Sequence, residues 1–258
     1  MPVEQSSPVP AVTRAAAVLA ALAAAGGVPV SVSELARQLG LPKSSTANLC
    51  QALESERMVT RHESGYTLGR RLVELGGAYV STVDQVREFY AACRQAPTIS
   101  GLTARVAVLE GLDVLYLARY DGAQPIRLTA NIGDRFPAHC TATGKVLLAA
   151  LPSGALDERL RGRRSLPALT PRSITDPGAL RAELDRVREL GYGLDAEETT
   201  PGVTCIAIAV PGARTDSDAF AISATTLAGS SEAGDLEKLR GELSAIAHLL
   251  GNPLVPQT

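Results

Sequence analysis

No two of the four cysteines stand together: Cys50, Cys93, Cys140 and Cys205 are spread over 258 residues, with no C-x-x-C pair and no neighbouring histidine cluster. That spacing offers neither a disulfide framework nor a zinc site, and it matches a reducing cytoplasm. A surplus of charge is also missing. Lys and Arg number 25 against 27 Asp and Glu, a net charge of −2, so any binding of nucleic acid has to come from a locally arranged surface. No apolar run approaches the ~20 residues of a membrane span. The Ala-rich stretch from Ala15 to Ala25 imitates a signal peptide, but Glu4, Pro8 and Pro10 stand before it where a basic leader belongs. Internal repeats and long heptad runs are absent too. What is present is a 45% hydrophobic composition, enough for two modest domains with a core each.

Residues 1–10, rich in Pro and Ser, read as a disordered start. Val12, Ala15, Leu19 and Leu22 then recur at helical steps and predict an apolar stripe, ended by Gly26-Gly27. Ser31-Val32-Ser33-Glu34 has the form of a capping box. The short helix it opens stops at Gly40, and Pro42 suits the first position of the next helix. From Lys43 to Leu53, Thr46, Leu49, Cys50 and Leu53 fall on one face and Ser44, Ala47, Asn48 and Gln51 on the other. Met58–Thr60 and Tyr66–Leu68 predict a small hairpin about Glu63-Ser64-Gly65. The segment 72–97 predicts a linker helix, weakened at Gly76-Gly77.

Beyond it, Arg105–Leu109, Val114–Ala118, Ile126–Leu128, Thr204–Val210 and Ala219–Thr225 are strand-like. Helices are predicted at Thr141–Leu151, at Pro177–Leu190 between Asp176 and Gly191, and along Leu236 to Leu250. The expected fold class is α+β: a winged helix-turn-helix over 11–71, the linker over 72–97, an α/β domain over 98–251, and a tail over 252–258.

Two helices joined by a short glycine turn, the second with small polar residues outward, form the arrangement that enters a major groove. Ser44, Ser45 and Ala47 permit close approach, and Lys43 with the free amides beside it suits a phosphate. Asn48 and Gln51 each match an adenine edge, and Arg61 in the wing suits the backbone or minor groove. A solvated three-helix bundle fits the same pattern, because Glu34, Glu54, Glu56 and Glu63 offset the basic residues.

In the second half, Gly144-Lys145 resembles a phosphate loop but lacks a glycine five residues earlier. It also has Val146 where magnesium needs Ser or Thr. The segment instead offers a helix start, with Thr141 as cap and the amides of Ala142 and Thr143 open to an anion. His139, Asp195 and Cys205 fit a hydrolytic constellation on residue type, but Cys205 lies in an apolar strand where a cysteine is ordinarily inert. Asp195, Glu197 and Glu198 with His139 make an unpersuasive metal site, because an acidic cluster beside Gly and Pro reads as a solvated loop. No catalytic group, metal or cofactor is expected.

Ser33-Glu34-Leu35-Ala36, Gly40-Leu41-Pro42-Lys43-Ser44-Ser45, Leu53-Glu54 and Gly65-Tyr66-Thr67-Leu68-Gly69 together resemble the N-terminal domain of the IclR (isocitrate lyase regulator) family. Pro137–Lys145, Ile174-Thr175-Asp176, Gly191-Tyr192, Asp195–Glu198, Pro201–Cys205 and Ala221-Ile222-Ser223 resemble its second domain, in the same order. The resemblance implies a regulator that binds double-stranded operator DNA as a homodimer or homotetramer and senses a small carboxylate or aromatic acid in a GAF-like domain. It adds Ser33 and Tyr66 to the DNA-contacting residues. For the effector it implies Ala142, Thr143, Asp195, Cys205, Ser223 and Thr225, the last in place of a frequent serine. Asn48 departs from the family, which commonly has arginine there. The departure leaves open a ligand-binding relative with weakened operator recognition.

Overall fold

The computed structural model describes residues 8–125, 130–152, 154–212, 219–229 and 233–251. The expected strand at Ile126–Leu128, residues 1–7 of the expected disordered start, and the tail 252–258 lie outside them. The chain divides into two compact units, residues 1–82 and 83–258.

The first unit opens with α1 (Pro10–Ala24), where the ring of Pro10 sits at a position whose N–H would have no partner. Its buried face carries Val18 and Leu22, with Ala15 and Leu19 beside them, while Val12 at the foot of the expected stripe is exposed. α2 (Val32–Leu39) starts on the Ser31 hydroxyl, which accepts from the Glu34 amide at 3.2 Å. The other half of the expected capping box does not form. The Glu34 carboxylate turns to Arg37 and Gln38, whose charge-assisted and amide hydrogen bonds compete with the cap. Gly40 ends α2 in the left-handed region, and α3 (Lys43–Ser55) begins one residue after Pro42.

β1 (Val59–His62) and β2 (Gly65–Leu68) pair antiparallel about a two-residue turn, and Tyr66 also bridges to Val30. Leu35, Cys50, Leu53, Val59 and Tyr66 close the core with Val18 and Leu22. The segment expected as one linker helix is two. α4 (Arg71–Ser81) runs through Gly76-Gly77 without a break, and the interruption falls at Thr82-Val83. No residue of α4 is buried.

The second unit contains α5 (Asp84–Gln95), β3 (Thr103–Glu110), β4 (Asp113–Asp121), β5 (Arg135–Pro137), α6 (Ala142–Ala149), α7 (Ala155–Leu160), α8 (Pro177–Leu190), β6 (Gly193–Ala196), β7 (Val203–Ala209), β8 (Phe220–Leu227) and α9 (Ala233–Gly251). Its described strands form one antiparallel sheet in the order β5-β4-β3-β8-β7-β6. β5, β6 and α7 are too short to stand out as periodic segments, and none was expected.

Strand alternation puts Ala107, Ala207 and Ala221 on one face, in the core shared with Val146, Leu147, Leu180 and Leu184 of α6 and α8. The positions between them, such as Val106, Ile206 and Ile222, are buried as well. Both faces of the sheet are therefore covered, and α9 packs against β7 and β8. Small residues let α6 come close to its neighbours. A Cβ on Gly144 would stand 2.2 Å from the Ala138 carbonyl oxygen, and one on Gly193 would stand 2.8 Å from that of Ala142.

Candidate functional site

The polar face of α3 is set by its apolar one. Thr46, Cys50 and Leu53 are buried, which turns Lys43, Ser44, Asn48 and Gln51 to solvent with Ser45 and Ala47 partly exposed at the margin. The Thr46 hydroxyl donates to the Pro42 carbonyl at 3.1 Å and fixes the first turn. Ser33 on α2 and Arg61 on the wing are exposed too. Tyr66 departs from the expectation. It is only 7% exposed and packs in the core of the unit, where β-strand alternation turns it inward.

The register of the sheet brings the second group together. Cross-strand partners share a face, so Asp195, Cys205, Thr225 and Thr103 form one row across β6, β7, β8 and β3. Gly193, Ala207, Ser223, Arg105 and Arg119 form the next row. The start of α6 lies over these rows and closes a small cavity of about 30 Å³ that opens to solvent. Ala142, Thr143, Asp195, Cys205 and Ser223 line it. Thr225 is not in its lining; its hydroxyl supports the floor, accepting from Arg105 Nη1 at 2.7 Å and meeting Cys205 Sγ at 3.4 Å.

At the mouth of α6 the Thr141 hydroxyl accepts from the Gly144 amide at 2.9 Å. The amides of Ala142 and Thr143 come before the first intrahelical acceptor and remain for a ligand. Lys145 is turned away from the cavity. Its ammonium donates to the Leu194 carbonyl at 2.8 Å and to Glu183 at 3.2 Å, and it also pairs with Glu198. It thereby ties α6 to α8 and to the segment after β6.

That segment is not the solvated loop expected from its acidic residues. Asp195 and Glu198 are both buried. Asp195 Oδ1 accepts from the Glu198 and Thr199 amides, and Oδ2 accepts from the Thr199 hydroxyl. Burial nevertheless raises the Asp195 pKa above its ordinary value, with these hydrogen bonds opposing. Burial also pushes the Cys205 thiol up to about 11, helped by the charge of Asp195, so the nucleophilic form is scarce at neutral pH. His139 lies outside the cavity lining and engages the Pro167 carbonyl at 2.8 Å. The hydrolytic constellation is not assembled. Among the described residues no group of three or more His, Cys, Asp or Glu could hold a metal ion.

The cavity also contains residues that the sequence did not single out. Tyr116, Phe136, Thr199 and Thr200 line it, and so does Arg105, 2% exposed, whose Nε donates to the Ala130 carbonyl at 3.0 Å. The Arg105 guanidinium lies 5.8 Å from the centre of the Tyr116 ring. An arginine inside an apolar strand segment gives little sign of its direction from sequence alone.

Two family models match the chain: the IclR helix-turn-helix domain over residues 11–63 and the bacterial transcriptional regulator IclR C-terminal domain over 77–250. The chain belongs to the IclR family of transcriptional regulators. The regulator XynR of Escherichia coli is 30% identical over 230 residues, 87% of this chain and 90% of that one. The crystal structure of an IclR-type regulator from Alicyclobacillus acidocaldarius superposes with a TM-score of 0.83 at 27% identity, covering 95% and 98% of the two chains. An IclR homologue from Microbacterium hydrocarbonoxydans, crystallised with 4-hydroxybenzoate, gives a TM-score of 0.76 at 25% identity, covering 93% and 98%. The helix-turn-helix of this family binds DNA, and α2, α3 and the β1–β2 wing form it here. No helix among the described residues is long and apolar enough to cross a membrane.

Proposed function

We propose that this IclR-family chain is a homo-oligomeric regulator whose hold on operator DNA is set by a small carboxylate or aromatic acid bound under α6. One observation carries the ligand part: a cavity in which buried polar side chains and two open helix amides converge without the geometry of a catalytic site. The 4-hydroxybenzoate bound by the Microbacterium homologue supports an acid as the ligand class. The DNA part rests on the exposed face of α3, with Asn48 and Gln51 reading adenine edges and Lys43, Ser33 and Arg61 contacting the backbone.

Oligomer formation is supported by α4, which buries nothing and exposes Leu75 and Tyr79 four residues apart on one side, with Val73 exposed on another. Exposed apolar side chains of this kind suit a second copy, and a symmetric operator calls for a symmetric protein. The ligand then works by binding one population of the oligomer better than another.

An operator-shift titration tests the reading. Salt-sensitive, sequence-selective binding to the protein's own upstream region is expected. Asn48→Ala should lower discrimination against wrong bases by about 1–3 kcal/mol, the range for one bidentate contact, while nonspecific affinity stays the same. Equal loss on all DNA would show that Asn48 reads no base. The absence of any selective complex in the wild type would favour a second reading, which the missing recognition-helix arginine motivates: a ligand-binding protein with weakened operator recognition.

A further inference from the structure

The two formal charges in the cavity wall stand on different strands and have opposite signs. Arg105 belongs to β3 and Asp195 to β6, with Ser223 of β8 and Cys205 of β7 between them. Both charged residues are almost completely buried, so solvent screens their fields poorly.

The cationic end is built to receive an acid. The guanidinium is held in place by hydrogen bonds to the Ala130 carbonyl and the Thr225 hydroxyl, and it lies against the Tyr116 ring. The hydroxyl of that tyrosine meets Thr143 Oγ1 at 3.4 Å. The first turn of α6, with its partial positive charge, therefore flanks the same aromatic group as Arg105. Burial lowers the Arg105 pKa from its ordinary value, but an arginine starts so high that it keeps its proton at neutral pH. The guanidinium charge beside the positive end of α6 attracts a carboxylate.

The other end repels one. The Asp195 carboxylate is held by the Glu198 and Thr199 amides and the Thr199 hydroxyl. A carboxylate has room for about four donors, so one further donor from a ligand is accommodated. A second carboxylate brought here would meet a like charge at low dielectric.

We infer that Arg105 receives the ligand's carboxylate and that the cavity selects a hydroxy acid, lying across the strands with its acid towards β3 and its hydroxyl towards Asp195 on β6. The inference rests on the reading that this cavity is the effector site. It adds a residue and an orientation to that reading.

The test measures binding of matched probes to the full chain by titration calorimetry. One series is 4-hydroxybenzoate, 4-hydroxybenzamide and terephthalate; the other is 4-hydroxybutyrate, 4-hydroxybutyramide and succinate. In at least one series the wild type should bind the hydroxy acid about tenfold or more tighter than both its amide and the diacid, the difference that a single charge-assisted hydrogen bond makes. Arg105→Gln should reduce the advantage of acid over amide to about threefold or less, and Arg105→Lys should restore part of it.

If Arg105→Gln does not fold, the wild type labelled with [15N]arginine replaces it. The Arg105 Nε–H resonance, assigned by its absence in Arg105→Lys, should shift on adding the hydroxy acid and stay in place with the amide. A bound hydroxy acid that leaves this resonance unmoved, or an acid advantage that survives Arg105→Gln, overturns the role of Arg105 and leaves the effector-site reading standing. A diacid bound as tightly as the hydroxy acid overturns the orientation. Binding of no acid from either series overturns the effector-site reading itself.

Discussion

The recognition face of α3 and the cavity under α6 both start from a short helix with small residues in its first turn, but they treat polar groups in opposite ways. Asn48, Gln51 and Lys43 are exposed, and water satisfies them. Arg105 and Asp195 in the cavity wall, and Lys145 and Glu198 behind it, are buried, and each is held by named partners. The first surface is easy to maintain and free to change. The second is a network in which the removal of one member strands another, because an unpaired polar group in the interior bears its full desolvation cost. A chain can therefore exchange an arginine for Asn48 without consequence for folding, whereas the cavity tolerates little.

The sharpest way to break this contrast is Lys145→Met. Lys145 is fully buried among Glu183, Glu198 and the Leu194 carbonyl, and Glu198 Oε2 already finds no hydrogen-bond donor among the described residues. Removing the ammonium leaves the buried Glu198 carboxylate unpaired, while Glu183 keeps Arg186, so the second unit should lose about 3–5 kcal/mol, the usual cost of breaking a buried ion pair. Chemical denaturation followed by hydrogen exchange should place that loss in residues 83–258 and leave the first unit unchanged. A loss under about 1 kcal/mol would show that water reaches the pair.

A smaller effect compares two helix caps directly. Ser31 and Thr141 each accept one helix amide, but Ser31 is exposed and Thr141 is 2% exposed. Ser31→Ala should cost about 0.5–1 kcal/mol, since water takes over the Glu34 amide. Thr141→Val keeps the shape and leaves the Gly144 amide without its acceptor in the interior, for about 1–3 kcal/mol. Equal losses at the two sites, measured by denaturant unfolding, would mean that the mouth of the cavity is as wet as the surface.

The same contrast explains what the sequence made legible. α8 is readable to the residue because both of its ends are local: Asp176 accepts from the Ala179 amide and Gly191 takes the left-handed conformation. The faces of α3 follow from its period alone. β6 escapes a sequence reading because four residues acquire their identity only by pairing with β7. Arg105 escapes it for a related reason. Where both faces of a sheet are covered, alternation no longer separates inside from outside, and a charge in an apolar strand points wherever the tertiary contacts need it. Tyr66 errs the other way, because a family motif marks a residue as important without saying whether it contacts DNA or core. The positions of Ala142, Thr143, Asp195, Cys205 and Ser223 come from motif order, but their convergence is a property of the register.

The smallest effect concerns Cys205 and is absent at neutral pH. Its ordinary pKa of 9.0 is raised to about 11, first by burial and then by the Asp195 charge. Between those values the folded protein retains a proton that the unfolded chain has released, so the stability Cys205 contributes is present below pH 9 and is lost as pH rises towards 11. Cys93, raised to about 12 by burial, acts with the same sign, so the informative quantity is the difference between wild type and Cys205→Ala. That difference should be flat from about pH 6 to 8 and shift against the wild type between about pH 9 and 11. Iodoacetamide should likewise modify Cys205 slowly at about pH 8 and faster above about pH 10. A thiol that alkylates readily at about pH 7 would mean that water reaches the partly exposed Cys205 side chain freely, and the division between the solvated face of α3 and the buried cavity wall would then fail at this residue.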